Sequence, residues 1–376
     1  MPGVTESCLV AWLDKRLAGA ESSKSMRIVF ICAPTMGPWT PRSAEDGIGG
    51  SEEAVINMAA KLARLGHAVG VYMVHGANRW FDDVFYGTLD SLPSRIDVAI
   101  IWRRPGRIGA LDRRGIRPGR AYLWLHDNLS AQVVAQWHHR FRKVMVLSRY
   151  HRTCYAELPD EAIFVTTNGI DSAHFGPPNP PRDPFQVVYG SDYSRGLSHL
   201  LINWAAIRKA VPAAKLNVFY GWQCIERINP HQAQRLHSEL DPLLSQSGVT
   251  HLGRLSHAAV ADQFRRAGVW AYPCPIRETC CITAMKAQAG GAIPAVIPSG
   301  ALRETVRFGF RTQRDFGHPG GPSDNDLIDE WQQGLIELLC SPERQLSIRH
   351  AMVPASREVF DWSHVAADWD REFSQP

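Results

Sequence analysis

The sequence predicts an α/β fold in two domains, each built around a parallel sheet. The chain of 376 residues is longer than one hydrophobic core usually supports. Short apolar runs rich in β-branched residues alternate with glycine turns and amphipathic helices, as in parallel sheets covered by helices. Residues 172–184 hold five prolines in thirteen positions, a composition typical of a linker between domains.

Composition and charge are those of an ordinary globular protein. Hydrophobic residues make up 45% of the chain and charged residues 21%, as in ordinary soluble domains. The formal net charge of +4 neither demands nor excludes an anionic partner, because nucleic-acid binding proteins usually carry a concentrated basic stripe. The 8 cysteines show neither the pairing nor the histidine spacing of a zinc site, which indicates reduced thiols.

The cellular location is predicted from the same features. No apolar run in the sequence approaches the roughly 20 residues that cross a bilayer. Residues 1–25 lack the apolar core of a secretory signal and are interpreted as an N-terminal extension. We therefore expect a cytoplasmic protein, and contact with the inner face of a membrane stays open.

The first predicted domain covers residues 26–171. Residues 26–34, MRIVFICAP, predict a buried strand by their apolar and β-branched composition. A helix follows, with Ser51 predicted as its N-cap and Gly66 as its C-terminal glycine. Further strands are predicted at residues 68–74, 97–104, 121–127, 143–148 and 162–171.

Two features of this domain indicate contact with a ligand. Gly49 and Gly50 precede the first helix, where the absence of a Cβ lets a ligand approach the backbone. An ordinary tight turn is the alternative. His126 and Asp127 come at the carboxyl end of a predicted strand, and open α/β sheets bind ligands at that edge. All four residues are therefore candidates for the site.

After the linker, residues 172–184, the pattern of strands and helices starts again in a second domain, residues 185–355. Arg195 lies at the N-terminal end of a predicted helix, where a cation is disfavoured unless an anion is near. Residues 356–376 are amphipathic and predict a final helix. Strands of the second domain are predicted at residues 185–191, 215–221, 269–276 and 292–298.

The most informative stretch is residues 277–298, RETCCITAMKAQAGGAIPAVIP. Glu278 follows a buried strand, so its carboxylate should lie at the ligand edge of the sheet. From Thr279 the apolar period becomes helical, and the free N–H groups and positive dipole end of that helix suit a phosphate. Gly290 and Gly291 end the helix before the next buried strand.

This arrangement of a strand, a glutamate, a helix closed by glycines and an apolar strand with an internal proline resembles the donor-site motif of glycosyltransferase family 4. Residues 49–69, GGSEEAVINMAAKLARLGHAV, and the NGID of residues 168–171 are similar to other segments of that family. The resemblance spans nearly the whole chain from Met26 onward. It implies the GT-B fold, in which two Rossmann-like domains face each other across a cleft, with residues 356–376 returning to the first domain.

The resemblance also implies roles for residues. The second domain would bind a nucleotide diphosphate sugar, a UDP- or GDP-sugar, and the first would bind an acceptor. Protein groups would neutralise the leaving diphosphate, so neither a metal ion nor a cofactor is implied. The catalytic residues implied are His126 and Glu278, and Asp127 lies on the acceptor side. The donor-binding residues implied are Gly49, Gly50, Ser191, Arg195, Arg254, Thr279, Cys280, Cys281, Ile282 and Lys286.

Four of these positions depart from the family pattern, and one of them is Cys281, where many relatives have glycine. Ser191 stands where an arginine is usual, while Arg195 replaces a lysine and keeps the positive charge. Lys286 stands in place of the second of two glutamates, which in the family accepts hydrogen bonds from ribose hydroxyls. Three interpretations stay open: another residue binds the ribose, Lys286 binds an extra anionic group, or the nucleotide site is weakened.

Two functions are predicted. The first is a retaining, metal-independent glycosyltransferase that uses a nucleotide diphosphate sugar. The second is a catalytically impaired relative that binds a nucleotide sugar, a glycan or a protein. The acceptor stays open among a glycan, a lipid-linked glycan, a small metabolite, a protein and a modified base in DNA. The arginine-rich residues 102–124 keep an anionic acceptor such as DNA, or a membrane surface, among the alternatives.

Overall fold

The computed structural model shows two compact units. The structure describes residues 25–34, 37–176, 180–317 and 323–376. The first unit comprises the described residues up to Ala44 together with Ile48–Asn168 and Trp362–Pro376. The second unit comprises Glu45–Gly47 and Gly169–Asp361. The predicted N-terminal extension, residues 1–25, lies outside the described residues except for Ser25.

A sheet of eight strands forms the centre of the first unit. In space they run β3-β4-β2-β1-β5-β6-β7-β8, and all neighbours are parallel except the antiparallel pair β3 and β4. The chain therefore winds from β1 to one side and later, from β5, to the other. The strands are β1 (Arg27–Ile31), β2 (Ala68–Met73), β3 (Arg79–Phe81), β4 (Val84–Thr88), β5 (Val98–Trp102), β6 (Arg120–Trp124), β7 (Lys143–Val146) and β8 (Ile163–Val165).

A sheet of six parallel strands forms the centre of the second unit. Their spatial order is β11-β10-β9-β12-β13-β14, so the chain reverses its winding direction between β9 and β12. The strands are β9 (Asp183–Gly190), β10 (Lys215–Phe219), β11 (Val249–Gly253), β12 (Ala267–Tyr272), β13 (Ile293–Val296) and β14 (Phe310–Arg311).

Helices connect the strands in both units. None of those in the described residues has the length and apolar character needed to cross a membrane. They are α1 (Ser43–Asp46), α2 (Gly50–Arg64), α3 (Gly109–Asp112), α4 (Ala131–Trp137), α5 (Arg149–Thr153), α6 (Leu197–Ala210), α7 (Gln223–Ile228), α8 (Pro230–Leu244), α9 (His257–Arg266), α10 (Ile282–Gly290), α11 (Leu302–Thr305), α12 (Asp324–Leu339), α13 (Pro342–Val359) and α14 (Trp362–Ser374).

The last helix, α14, completes the core of the first unit, where it packs against α2. Trp369 is fully buried, its ring lies 4.7 Å from that of Trp124, and its indole N–H donates to the Thr166 hydroxyl at 2.7 Å. The ammonium of Lys143 lies 2.8 Å from the buried carboxylate of Glu372. Aromatic packing and an ion pair thus attach α14 to the first sheet.

Buried aromatic residues also mark the core of the second unit. Trp204 and Trp331 are fully buried, and their indole N–H groups donate to the carbonyl oxygens of Ser247 at 3.2 Å and Ala295 at 2.8 Å. These two indoles therefore keep a partner for their polar atom. This rigid core carries the loops at the carboxyl ends of β9 and β12.

The structure corrects two of the predicted boundaries. Ser51 is not the N-cap of the first long helix, because α2 begins at Gly50 and Gly49 takes the capping position in an extended conformation. The predicted final helix of residues 356–376 is divided, since α13 continues to Val359 and α14 begins at Trp362. Of these two helices, only α14 belongs to the first unit. Gly66 and Gly291 end their helices with positive φ, as their positions predict.

Candidate functional site

The strand order of the second sheet indicates where a ligand binds in this unit. Because the winding direction reverses between β9 and β12, the loops after these strands diverge at their carboxyl ends. Open α/β sheets bind ligands in the crevice at such a reversal. β9 ends at Gly190 and is followed by Ser191 and Arg195, while β12 ends at Tyr272 and is followed by Glu278. These predicted donor-binding and catalytic residues therefore emerge at the expected edge.

A buried carboxylate is the centre of this site. Glu278 is 7% exposed, and its Oε1 accepts hydrogen bonds from Nη1 of Arg195 at 2.6 Å and from the hydroxyl of Tyr272 at 2.6 Å. The hydroxyl of Ser191 lies 3.2 Å from that of Tyr272. Within the described chain, Oε2 of Glu278 accepts no hydrogen bond. One carboxylate oxygen is thus fixed by the protein, and the other can accept from a ligand.

Charge and burial set the protonation states of the partners of Glu278. The carboxylate raises the pKa of Arg195 above its ordinary value, so the guanidinium is charged. Burial, followed by the same carboxylate, raises the pKa of Tyr272, so its hydroxyl is neutral and donates. Arg195 is 38% exposed and uses one of its three nitrogens for Glu278. Its other nitrogens donate to none of the described residues and remain able to bind an anion.

The loop between β9 and α6 holds Arg195 in place. The carboxylate of Asp192 accepts hydrogen bonds from the N–H of Ser194 at 3.0 Å and from the hydroxyl of Ser194 at 2.5 Å. The hydroxyl of Tyr189 donates to the carbonyl oxygens of Asp192 at 2.8 Å and Arg195 at 3.1 Å. Gly196 follows with a φ of +89°, and a Cβ there would lie 2.1 Å from a carbonyl oxygen of the β12 loop. The loop is therefore rigid before any ligand arrives.

The start of α10 adds backbone donors near Glu278. The helix begins at Ile282, and its first hydrogen bonds run from the N–H groups of Ala284 and Met285 to the carbonyl of Cys281. The N–H groups of Ile282 and Thr283 precede that first turn and lie at the positive end of the helix. No side chain caps this end. This geometry suits a phosphate.

The other predicted donor residues of this segment differ in exposure. Cys280 and Cys281 are buried, and burial raises the pKa of the Cys281 thiol, so it stays protonated. Thr279 is half-buried, and Lys286 is half-buried one turn into α10. Both cysteines can therefore contribute backbone groups to a ligand, whereas their side chains belong to the interior.

Around β10 and β11 the second unit carries an aromatic cluster that the sequence did not indicate. The ring of Trp222 stacks on that of His237 with centroids 3.9 Å apart, and the hydroxyl of Tyr193 lies 2.7 Å from Nε2 of His251.

Arg254, which follows β11, donates two hydrogen bonds to the carbonyl of Gly47, at 3.0 and 2.6 Å. The predicted donor role of Arg254 thus competes with a structural contact.

In the first unit, the loop after β6 places His126 and Asp127 beside an arginine that the sequence did not single out. Arg103 donates to both carboxylate oxygens of Asp127, at 2.7 and 2.9 Å, and its guanidinium carbon lies 5.2 Å from the ring of Trp102. Arg103 has a φ of +65°, a strained conformation for a residue with a side chain. Such strain is typical of functional sites.

His126 itself is enclosed by aromatic rings. It is buried, with its ring 4.3 Å from that of Trp124 and 5.9 Å from that of Trp102. Burial lowers the pKa of His126 well below its ordinary value, and the positive charge of Arg103 lowers it further. The imidazole is therefore neutral at pH 7. It is suited to hydrogen bonding rather than to ion pairing.

Gly49 and Gly50 lie in this unit at the start of α2. Gly49 caps the helix with a φ of −69°, and Gly50 is its first residue. A Cβ on Gly49 would lie 2.5 Å from Oε2 of Glu52. Because neither residue has a positive φ, close packing or ligand access accounts for these glycines better than backbone conformation.

A second buried histidine gives the first unit a predictable pH dependence. Burial lowers the pKa of His151 to about 4, whereas the unfolded value is about 6.5. The unfolded chain therefore binds the proton first as the pH falls, and the free energy of unfolding should drop by about 2 kcal/mol between pH 7 and pH 5 from this group alone. Denaturant titrations of the natural protein and of His151→Gln should show a flatter pH dependence in the variant. Equal slopes would contradict this assignment.

Comparisons with known proteins identify the fold. No protein-family model matches the chain, and no curated protein matches it. Solved structures do: a sucrose-phosphate synthase from Thermosynechococcus elongatus is 15% identical, with a TM-score of 0.68 over 93% of this chain and 98% of that one. A trehalose-6-phosphate synthase is 11% identical, with a TM-score of 0.71 over 94% and 99%. HepE from Anabaena, in complex with UDP and glucose, is 15% identical, with a TM-score of 0.64 over 93% and 99%.

These similarities cover nearly the whole of each chain. The two sheets, whose strands are parallel except for β3 and β4, and the structural neighbours together confirm the predicted GT-B fold with two Rossmann-like domains. Membership of family 4 and the equivalence of Lys286 to the second glutamate stay predictions. The chain has the GT-B fold found in glycosyltransferases.

Proposed function

We propose that this protein is a glycosyltransferase that moves a sugar from a nucleotide diphosphate sugar to a hydroxyl group of an acceptor. The observation that carries the proposal is the cluster of Glu278, Arg195 and Tyr272 at the carboxyl ends of β9 and β12, beside the start of α10. Several structural neighbours are glycosyltransferases, and HepE has been solved with UDP-glucose. A UDP-sugar is therefore the first donor to test, followed by a GDP-sugar.

The second unit supplies the groups that the donor requires. The unused nitrogens of Arg195 and the first N–H groups of α10 bind the diphosphate and neutralise the charge that develops on it. Oε2 of Glu278 accepts a hydrogen bond from a sugar hydroxyl. The backbone from Thr279 to Ile282 lines the phosphates, and no metal ion is needed in this scheme.

The reaction we propose retains the configuration of the sugar. The bond between the anomeric carbon and the diphosphate oxygen breaks, and the acceptor oxygen bonds to the same face of that carbon. The acceptor proton passes to the departing diphosphate oxygen, so the proton and both electron pairs are accounted for. Arg195 stabilises this step because it stays charged throughout. Glu278 orients the sugar and takes no proton.

The first unit supplies the acceptor side. His126 is neutral and can exchange a hydrogen bond with a hydroxyl, while Asp127 is held by Arg103. Gly49 and Gly50 remain predicted contacts for the diphosphate. The acceptor class stays among those named from the sequence.

Nucleotide-sugar binding by the natural protein and by Lys286→Glu tests this function. We expect a UDP- or GDP-sugar to raise the unfolding midpoint of the natural protein, because a ligand at 100 times its Kd stabilises by about 2.7 kcal/mol. ADP- and CDP-sugars complete the panel. Lys209→Glu, a charge reversal at an exposed position of α6, is the control.

The outcomes separate the two predicted functions. A shift in the natural protein followed by turnover of the same donor supports the transferase. A shift without turnover of the donor supports a binding protein. A response confined to Lys286→Glu would show that the lysine impairs the nucleotide site and would overturn the proposed activity.

A further inference from the structure

Positive charge is concentrated in one segment of the first unit. Residues 102–124 contain seven arginines and one acidic residue, Asp112, a net charge of +6. Since the whole chain carries +4, all remaining residues together carry −2. This asymmetry indicates a surface that attracts anions.

Part of this segment lines a cavity of about 500 Å³. Arg120 is the first residue of β6, and Arg142 directly precedes β7, so the cavity lies at the amino ends of these strands. His126 and Asp127 follow the carboxyl end of β6. The cavity is therefore a different place from the candidate site of this unit, and its chemistry is independent of the proposed function.

Four guanidinium groups face this cavity, and contacts within the unit position each of them. Nη1 of Arg117 lies 3.2 Å and Nη2 of Arg140 lies 2.9 Å from Oδ1 of Asp112. Arg120 donates to the carbonyl of Phe373, and Arg142 donates to the carbonyl of Pro376. Among the described residues, each of the four uses a single nitrogen in these contacts. The remaining N–H donors can bind a ligand.

The side chains that line the cavity carry a net positive charge. Four arginines face one carboxylate, which leaves three positive charges among the lining residues. A guanidinium matches the oxygens of a phosphate with two parallel hydrogen bonds. We propose that this cavity binds a small molecule with two or more phosphate charges, at a site separate from the sugar-transfer site.

Size and surface character favour a small molecule over a macromolecule. The cavity volume lies in the range of about 300 to 1,000 Å³ that is typical of small-ligand sites. The large hydrophobic side chains that line it, such as Ile116 and Phe141, are buried. Within residues 102–143, all of which the structure describes, no large hydrophobic side chain is highly exposed. A membrane would find no apolar side chain there to insert.

Inorganic pyrophosphate is the probe for this site. Its binding to the whole protein is measured by calorimetry at low salt in the Arg195→Ala background, which weakens the diphosphate contacts of the other unit. We expect saturable binding that Arg117→Gln weakens about tenfold, since a charge-assisted contact is lost. Asp112→Asn should tighten binding, because it removes the carboxylate that competes for two of the arginines.

The matched control is Arg114→Gln, an exposed arginine of the same segment that does not line the cavity. Arg117 is itself 80% exposed, so neither change should disturb folding, and unfolding midpoints without ligand check this. Binding that survives Arg114→Gln but not Arg117→Gln supports the proposal. An equal loss in both variants would indicate diffuse attraction, and no saturable binding would indicate no site; either result overturns it. The proposal would also be overturned, in favour of nucleic-acid binding, if a DNA duplex displaced pyrophosphate and this displacement required Arg114.

Discussion

Replacing Glu278 by alanine should weaken nucleotide-sugar binding or sugar transfer at least about tenfold, and Arg195→Ala should do the same. Glu278→Ala removes the acceptor for a sugar hydroxyl and also releases Arg195 and Tyr272, which both donate to its Oε1. Arg195→Ala removes the positive charge and leaves a buried carboxylate with one partner. The two residues should therefore act as a unit.

A double-mutant cycle measures that coupling. The loss in Glu278→Ala combined with Arg195→Ala should be smaller than the sum of the two single losses, because each single change already disrupts the shared contact. Glu337→Ala, at an exposed position of α12, is the control for loss of a carboxylate. Initial rates, or Kd values where turnover is too slow, give the comparison. Unchanged kinetics in both single variants would overturn the assignment of this site.

The largest effect on stability is expected at Trp369. Its ring is fully buried against Trp124, and its indole N–H donates to Thr166. Trp369→Ala should lower the free energy of unfolding of the first unit by about 3 to 5 kcal/mol, because it leaves a cavity in the core and the half-buried hydroxyl of Thr166 loses its partner. Hydrogen exchange resolved by segment assigns the loss to that unit.

Two further variants sharpen this measurement. Trp369→Phe should cost less than the alanine variant, since it keeps much of the ring packing. Leu346→Ala, at a position of α13 that is 65% exposed, should change stability by about 0.5 kcal/mol or less. A loss below about 1 kcal/mol in Trp369→Ala would mean that α14 is not needed for the core of the first unit.

Strands that are buried on both faces could be predicted because their residues are almost all apolar. β1, RIVFI, and β12, AGVWAY, are buried throughout, and parallel sheets produce such runs. The strands β3 and β4 were not predicted from the sequence. Asp82 and Asp83 lie between them, β3 is a short and partly exposed edge strand, and its antiparallel pairing breaks the alternation of strand and helix.

The site could be predicted only where its features depend on local sequence. Glu278 was placed correctly at the carboxyl end of a strand, since that depends on local sequence. Its contact with Arg195, 83 residues earlier, depends on β9 lying next to β12, and sheet order is a tertiary property. The bidentate contact of Arg103 with Asp127 and the positive φ of Arg103 likewise arise only when β5 lies beside β6.

The position of α14 in the sequence determines the order in which the units can be completed during synthesis. The ribosome produces Trp362–Ser374 only after the whole of Gly169–Asp361. All strands of the first sheet are therefore synthesised long before the helix that covers Trp124 and pairs with Lys143. The second unit can finish its core first, although most of it comes later in the chain. The first unit cannot complete its core until α14 has been synthesised, and until then part of its apolar surface stays uncovered. The usual order, in which the N-terminal domain folds first, is therefore reversed.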